Sequence, residues 1–286
     1  MGILEAANWR FDVIRNKDSP CCLTERLTYV LFDGLAKQFT HPLIIGRHIR
    51  LDEAGDEYSE LGDVRLYYDT ERISKNRRQL QIGVGSIVIE SFMRQIYFDS
   101  TVGPKTGDVA FDLGAFIGSQ TLQMSKIVGD SGYVYSFEPV AYRTLKKNLE
   151  VNGLSNCKVV PEAVSNVDGE ACIEITDSLV ASRIISSEKT KGPSKKIQRI
   201  PTITLDHFAE NEKIQKVDFI KMDIEGAEEL AILGSERIIK KFRPKWSIAS
   251  YHRDSENDLQ HLKLVKLLRS YGYKTKERDS THIFAF

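Results

Sequence analysis

The sequence predicts an α/β fold built on a doubly wound, mostly parallel sheet. Three observations point there. From Asp108 onward, short apolar runs alternate with helical periods. The first apolar run ends in a glycine-bearing turn that opens a helix, and the chain closes on two strand-like runs suited to an antiparallel C-terminal hairpin. A smaller N-terminal α+β region, residues 1–106, precedes this domain of residues 107–286.

In that first region Leu23, Leu27, Val30, Leu31 and Leu35 recur at helical spacing, with Pro42 after the expected stop. An acidic loop spans Asp52–Glu57, Val64–Tyr68 alternates like a strand, and Ile87–Tyr97 suits a helix leading into the loop Val102–Gly107. In the second region Val109–Leu113, Tyr133–Phe137, Lys158–Val160, Val217–Met222 and Trp246–Ala249 are candidate strands. Buried parallel strands read as near-continuous apolar runs, as these do. Leu145 and Leu149 mark a helix that Asn152 and Gly153 end, and Leu259, Leu262, Val265 and Leu268 mark another. The insert Ala171–Leu205 holds two further strand-like runs around the loop 186–199, which carries a net charge of +4. Such a loop is a solvated tip by default and a lid as the alternative.

The chain has 286 residues, with 40 Lys and Arg against 40 Asp and Glu. Neutral overall charge offers no global field for nucleic acid or anionic lipid. A hydrophobic share of 41% excludes disorder as the main state, and no run nears the ~20 apolar residues of a membrane helix. The first twenty residues lack a basic head and apolar core, so no secretion signal is expected. Cys21, Cys22, Cys157 and Cys172 have neither zinc spacing nor a disulfide framework and suit reduced thiols in a cytoplasmic protein.

Chemistry concentrates at strand ends. Asp112 and the turn Gly114-Ala115-Phe116-Ile117-Gly118 close the first core strand. Glu138 ends the second, about 20 residues past Gly118, where a carboxylate can accept both hydroxyls of an adenosine ribose. A dinucleotide wants G-x-G-x-x-G for its pyrophosphate, whereas this turn reads G-x-x-x-G. An adenosine cofactor without phosphate fits better, S-adenosylmethionine above all.

These residues, with Phe137-Glu138-Pro139, Thr204–Phe208 and the block Phe219–Glu228 containing Asp223-Ile224-Glu225-Gly226-Ala227-Glu228, resemble the FkbM-type methyltransferases from about Glu90 onward. The resemblance implies a Rossmann-like fold and S-adenosylmethionine-dependent methylation. It implies that Asp112 and the Gly114–Gly118 turn hold the methionine part, Asp112 facing its ammonium directly or through water. Glu138 would take the ribose hydroxyls, and Glu162 and Ala163 would border the adenine. Phe116 departs from the small polar residue usual in the family, which bears on the pocket beside the methionine.

Asp223 is the first candidate for the base or acceptor-orienting group, and His252, after the fifth core strand, is the second. Glu225 is expected to cap the next helix. A divalent metal between the two acids is not favoured, because the local sequence offers no third ligand. Tyr97 is expected mainly to pack. The expected partner is a small-molecule or glycan acceptor methylated on oxygen, with neither nucleic acid nor membrane favoured. The rivals are a nucleic-acid methyltransferase, disfavoured by the missing Pro-Pro-aromatic turn, an NAD-dependent oxidoreductase, and a catalytically silent adenosine-binding protein. Acceptor identity and oligomeric state are not encoded in any motif found.

Overall fold

The computed structural model describes residues 49–61, 63–68, 96–98, 101–175, 182–185, 196–253, 259–278 and 281–286. The helix expected over Leu23–Leu35, Cys21, Cys22 and the loop 186–195 lie outside the described residues. Three short strands come first: β1 (Ile49–Leu51), β2 (Glu57–Leu61) and β3 (Val64–Tyr67). The main domain opens with β4 (Val109–Leu113), α1 (Ser119–Val128), β5 (Tyr133–Phe137), α2 (Tyr142–Val151) and β6 (Cys157–Val160). Next come β7 (Ala163–Val164), β8 (Gly169–Ile175), β9 (Ser182–Ile185) and β10 (Lys196–Ile203), the last three running through the insert. Then follow α3 (Leu205–Asn211), β11 (Phe219–Met222), α4 (Glu228–Leu233), α5 (Glu236–Phe242) and β12 (Lys245–Ala249). The chain closes with α6 (His261–Ser270), β13 (Thr275–Arg278) and β14 (His282–Ala285).

The central sheet has seven strands in the order β13-β14-β12-β11-β4-β5-β6. Strands β12, β11, β4, β5 and β6 run parallel, and β14 lies antiparallel between β12 and β13. The expected doubly wound sheet with its antiparallel C-terminal hairpin is therefore present. Successive side chains of a strand face opposite ways, and the core divides accordingly. Phe111, Ile220, Trp246, Ile248 and Ile283 pack on one face with residues of α3 to α6. Ala110, Phe219, Ala249 and Phe284 pack on the other with Met124 and Val128 of α1 and with Ile96, Tyr97 and Phe98. Both faces are covered, which is why these strands are apolar throughout.

In α6 the buried stripe is Leu264, Val265 and Leu268, and the helix begins at His261. Leu262, expected to face the core, is 68% exposed, and Leu259 lies before the helix in a bridge to Arg253. A small angular slip along a 3.6-residue period exchanges the two faces. The insert forms its own sheet, β7-β10-β8-β9, with β10 antiparallel to β8 and parallel to β7.

The N-terminal strands form a separate antiparallel sheet in the order β1-β2-β3. The outer edge of β3 is taken up by side chains of α2 and of the residue that caps its C-terminus. Asn148 accepts from Tyr67 N at 2.7 Å and donates to Tyr67 O at 3.1 Å. One turn on, Asn152 accepts from Arg65 N at 2.9 Å and donates to Arg65 O at 2.6 Å. Two carboxamides thus stand in for a neighbouring strand, and residues four apart on a helix match alternate residues of β3. Asn148 Nδ2 also donates to Ile117 O at 2.7 Å, inside the glycine turn. Replacing fully buried Asn148 by Ala strands these backbone groups, so Asn148→Ala should cost about 1–3 kcal/mol. Urea denaturation checks this, and an unchanged midpoint would show that water replaces the amide.

Candidate active site

The turn after β4 is held in an uncommon backbone conformation. Gly114, Phe116 and Gly118 have φ of 75°, 48° and 94°. A bulky residue at positive φ is rare and needs support from its surroundings. Gly114 N and Ala115 N both donate to Phe137 O, at 3.0 and 3.1 Å, and Phe116 N donates to Glu138 Oε2 at 3.0 Å. The other oxygen of Glu138 accepts from Val140 N and Ala141 N, both at 2.8 Å. Helix α2 has no side-chain cap of its own, and Glu138 supplies an acceptor and a negative charge at its start.

The two glycines of this turn meet protein. A Cβ on Gly114 would lie 1.9 Å from the carbonyl oxygen of Asp223, and one on Gly118 would lie 2.6 Å from Leu145 Cδ1. Gly114 therefore presses the turn against the chain leaving β11. On the same neighbouring strands, Lys221 of β11 stands directly opposite Asp112 of β4. Their side chains, both buried, pair at 3.0 Å, and Lys221 Nζ also donates to Gly114 O at 2.9 Å. The second oxygen of Asp112 accepts from Thr121 Oγ1 at 2.7 Å. A buried charge needs such partners. Asp112 is thus turned toward Lys221 and Thr121, where it fixes the turn that follows it.

Beyond β11 the chain reads Asp223-Ile224-Glu225-Gly226-Ala227 before α4 begins. Glu225 sits at φ 56°, outside the helix it was expected to cap. The acid that secures this loop is Glu228, fully buried. It accepts from Ile224 N at 3.2 Å, Gly226 N at 3.0 Å, Gln260 Nε2 at 2.8 Å and His252 Nδ1 at 2.9 Å. With Nδ1 bound, the other ring nitrogen of His252 faces Asp223 Oδ1 at 3.4 Å and Glu225 Oε2 at 3.5 Å. Nε2 of His252 and Oδ1 of Asp223 are both buried without a hydrogen-bond partner. Tyr97 donates its hydroxyl to Asp223 Oδ2 at 2.5 Å, and its ring meets His282 edge-on.

Burial alone would lower the pKa of His252. The hydrogen bond to Glu228 and the charges of Asp223 and Glu225 overcome it and hold the imidazole at about 9. Burial, reinforced by Asp223 and Glu228, pushes Glu225 up to about 7. For Asp223 burial acts upward, but Lys221, His252 and the Tyr97 hydroxyl outweigh it and keep the carboxyl below its usual range. Groups driven apart in pKa within one cluster occur both at functional sites and in structural ion-pair networks.

Asp223 and His252, selected separately in the sequence, thus meet, and Glu225 joins them. Glu228, Tyr97, Lys221 and Gln260 were not selected as site residues. Glu162 is half-buried two residues past the end of β6, the strand beside the one that Glu138 follows. Ala163 is buried against Ile173 and Ile200 of the insert sheet.

A glycine turn after β4, an acid after β5 and an acid cluster after β11 thus stand at the ends of parallel strands of one sheet. Residues 112–275, more than half of the chain, match the methyltransferase FkbM domain, and the chain belongs to that family. No curated protein matches the sequence. Among solved structures the chain is similar to a methyltransferase FkbM from Methylobacillus flagellatus KT, at 18% identity and a TM-score of 0.47. That match covers 76% of this chain and 56% of the other, so the chain spans little more than half of that protein. A SAM-dependent methyltransferase from Aquifex aeolicus matches at 18% identity and a TM-score of 0.39, over 67% of this chain and 90% of the other. Aeropyrum pernix fibrillarin, solved with natively bound S-adenosyl-L-methionine, matches at 17% identity and a TM-score of 0.39, over 63% of this chain and 66% of the other.

The cluster has a signed pH signature. His252 titrates at about 9 when folded against an ordinary 6.5, so its stabilisation is complete below pH 6.5 and is lost as pH rises through about 9. Glu225, raised from 4.5 to about 7, acts in the same direction over that lower window. In chelator, stability should fall as pH rises from 5 to 9, and His252→Gln should flatten the upper part of that decline. The urea midpoint against pH is the measurement. An imidazole midpoint near 6.5 by NMR would remove the basis for the upper window.

Proposed function

We propose that this methyltransferase transfers the methyl group of S-adenosylmethionine to a hydroxyl oxygen of a small molecule or glycan, and that Asp223 and His252 handle that hydroxyl. The observation that carries the proposal is the pair of buried, unpartnered atoms, Asp223 Oδ1 and His252 Nε2, facing each other beside the Gly114 turn. When bound, the cofactor supplies an electrophilic methyl on a cationic sulfonium.

The residues present suit that cofactor. Glu138 uses one acceptor position on Oε2 for Phe116 N, which leaves a second for a ribose hydroxyl. Gln120, in the first turn of α1 just after Gly118, is 5% exposed, and neither its amide nitrogen nor its oxygen has a hydrogen-bond partner. It offers a donor and an acceptor to the methionine end, with Ala115 and the Gly114–Gly118 turn as the wall. Asp112 supports that wall through Lys221. Glu162 and Ala163 border the adenine side.

Methyl transfer is an in-line displacement, so alignment in a water-poor site matters more than covalent chemistry. Asp223, held ionised, accepts the hydrogen bond of the acceptor hydroxyl through Oδ1. With the cofactor bound, the oxygen–carbon bond would form as the sulfur–carbon bond broke. The hydroxyl proton would pass to the Asp223 carboxylate and on to solvent, since His252 is already protonated near neutral pH. Among the described residues no helix is long and apolar enough to cross a membrane. Cys157 and Cys172 are free, which supports a reducing, cytoplasmic setting.

Glu138→Ala should weaken cofactor binding by about 1.5–3 kcal/mol. Because three backbone N–H groups lose their acceptor, it should also lower stability by about 1–3 kcal/mol, an effect the sequence alone did not foresee. Calorimetric titration and urea melts read the two separately, and unchanged affinity would remove Glu138 from the ribose site. Asp223→Asn keeps the shape and loses the charge. Single-turnover methyl transfer should fall by about 10²–10⁴ with cofactor affinity little changed. Wild-type turnover in that variant would take Asp223 out of the mechanism.

A further inference from the structure

We propose that Asp223, Glu225 and His252 form a binding site for one first-row divalent cation, and that the cation presents the acceptor hydroxyl. This rests on the methyltransferase reading and specifies how the cluster acts. The third ligand that the local sequence lacks is supplied by the fold, since His252 follows β12 and β12 lies beside β11. One ligand atom from each of the three residues lies within 4.8 Å of the others.

Three further features favour a cation. The first is spacing. An ion bound at about 2.1 Å places its ligand atoms roughly 3.0–3.4 Å apart, from octahedral to tetrahedral edges. His252 Nε2 lies 3.4 Å from Asp223 Oδ1 and 3.5 Å from Glu225 Oε2, too far for strong direct hydrogen bonds. The second is orientation. Glu228 accepts from Nδ1 of His252, the carboxylate–histidine arrangement that fixes a metal-ligating imidazole and turns its Nε2 inward, where a bound ion would displace the Nε2 proton. His252 is only 9% exposed, and its Nε2, aimed between two carboxylates, has no hydrogen-bond partner. The third is charge. Asp223, Glu225 and Glu228 converge on this imidazole, three carboxylates around one ring, while the nearby Lys221 makes its direct ion pair with Asp112.

The donor set selects the kind of ion. One imidazole with two carboxylates favours manganese, iron, cobalt, nickel or zinc over magnesium or calcium, which prefer all-oxygen shells. Three protein ligands leave coordination positions for the acceptor oxygen. The bound hydroxyl then becomes more acidic, and its proton passes to solvent as the new oxygen–carbon bond forms. Asp223 and His252 act in this scheme by holding the ion.

The test uses the whole chain stripped with chelator and then titrated with Mn²⁺, free Mn²⁺ being read by its electron paramagnetic resonance signal. One ion per chain is expected. His252→Gln and Glu225→Gln should each weaken binding at least about tenfold, and Glu228→Gln by about 10–100-fold through the orienting bond. Circular dichroism melts verify that each variant is folded. Asp168→Asn serves as the control, because it alters an exposed Asp–His pair elsewhere and should leave Mn²⁺ affinity unchanged. No saturable binding to the wild type, or the same affinity in folded His252→Gln and Glu225→Gln, overturns the site. S-adenosylmethionine affinity is titrated separately in chelator. Cofactor binding without Mn²⁺ binding defeats the cation alone. Mn²⁺ binding at these residues without cofactor binding leaves the cation site and defeats the methyltransferase reading.

Discussion

The carboxylate of Glu228 has no exposure to solvent and four donors to satisfy it, two from its own loop and two from distant side chains. A buried charge tolerates few alternatives to such a complete set. The loop leaving β11 is bent back so that its N–H groups reach Glu228, and this bend carries Glu225 through a left-handed conformation. The same carboxylate draws in the His252 ring and sets which nitrogen points inward. The relative placement of Asp223, Glu225 and His252 follows from this one anchoring group.

A second constraint joins this loop to the glycine turn. Because Gly114 has no side chain, the carbonyl of Asp223 can approach its backbone, and Lys221 ties Gly114 O and Asp112 together from the same strand. The glycine turn after β4 and the acid-bearing loop after β11 are therefore packed against each other through backbone. Their separation is set by a close contact between two main chains, which deforms far less readily than a pair of long side chains would.

Much of this was legible in the sequence, for physical reasons. Strands buried on both faces are apolar throughout, and the turn after β4 must carry glycine, so the sheet, the turn and the acids at strand ends could be located from residue types. Asp223 and His252 were each visible as polar residues at the end of an apolar run. What escaped depends on neighbours far apart in the chain. The Asp112–Lys221 pair depends on which residues of the neighbouring strands β4 and β11 fall in register, and residue types alone do not reveal that register. Glu228 carries no signal of its own in the sequence, and only its contacts with His252 and Gln260 distinguish it from Glu225. In α6 a small angular slip placed Leu262 on the wrong face.

The boundary at residue 106 also takes on a different meaning. Asn148 and Asn152 read the backbone of β3 as another strand would, and Asn148 reaches Ile117 in the glycine turn with the same amide group. Exchange of N-terminal segments between relatives would succeed only where the incoming piece presents a strand edge of matching N–H and C=O spacing. Variation in β3 is thus answerable to α2 and the glycine turn through a pair of carboxamides.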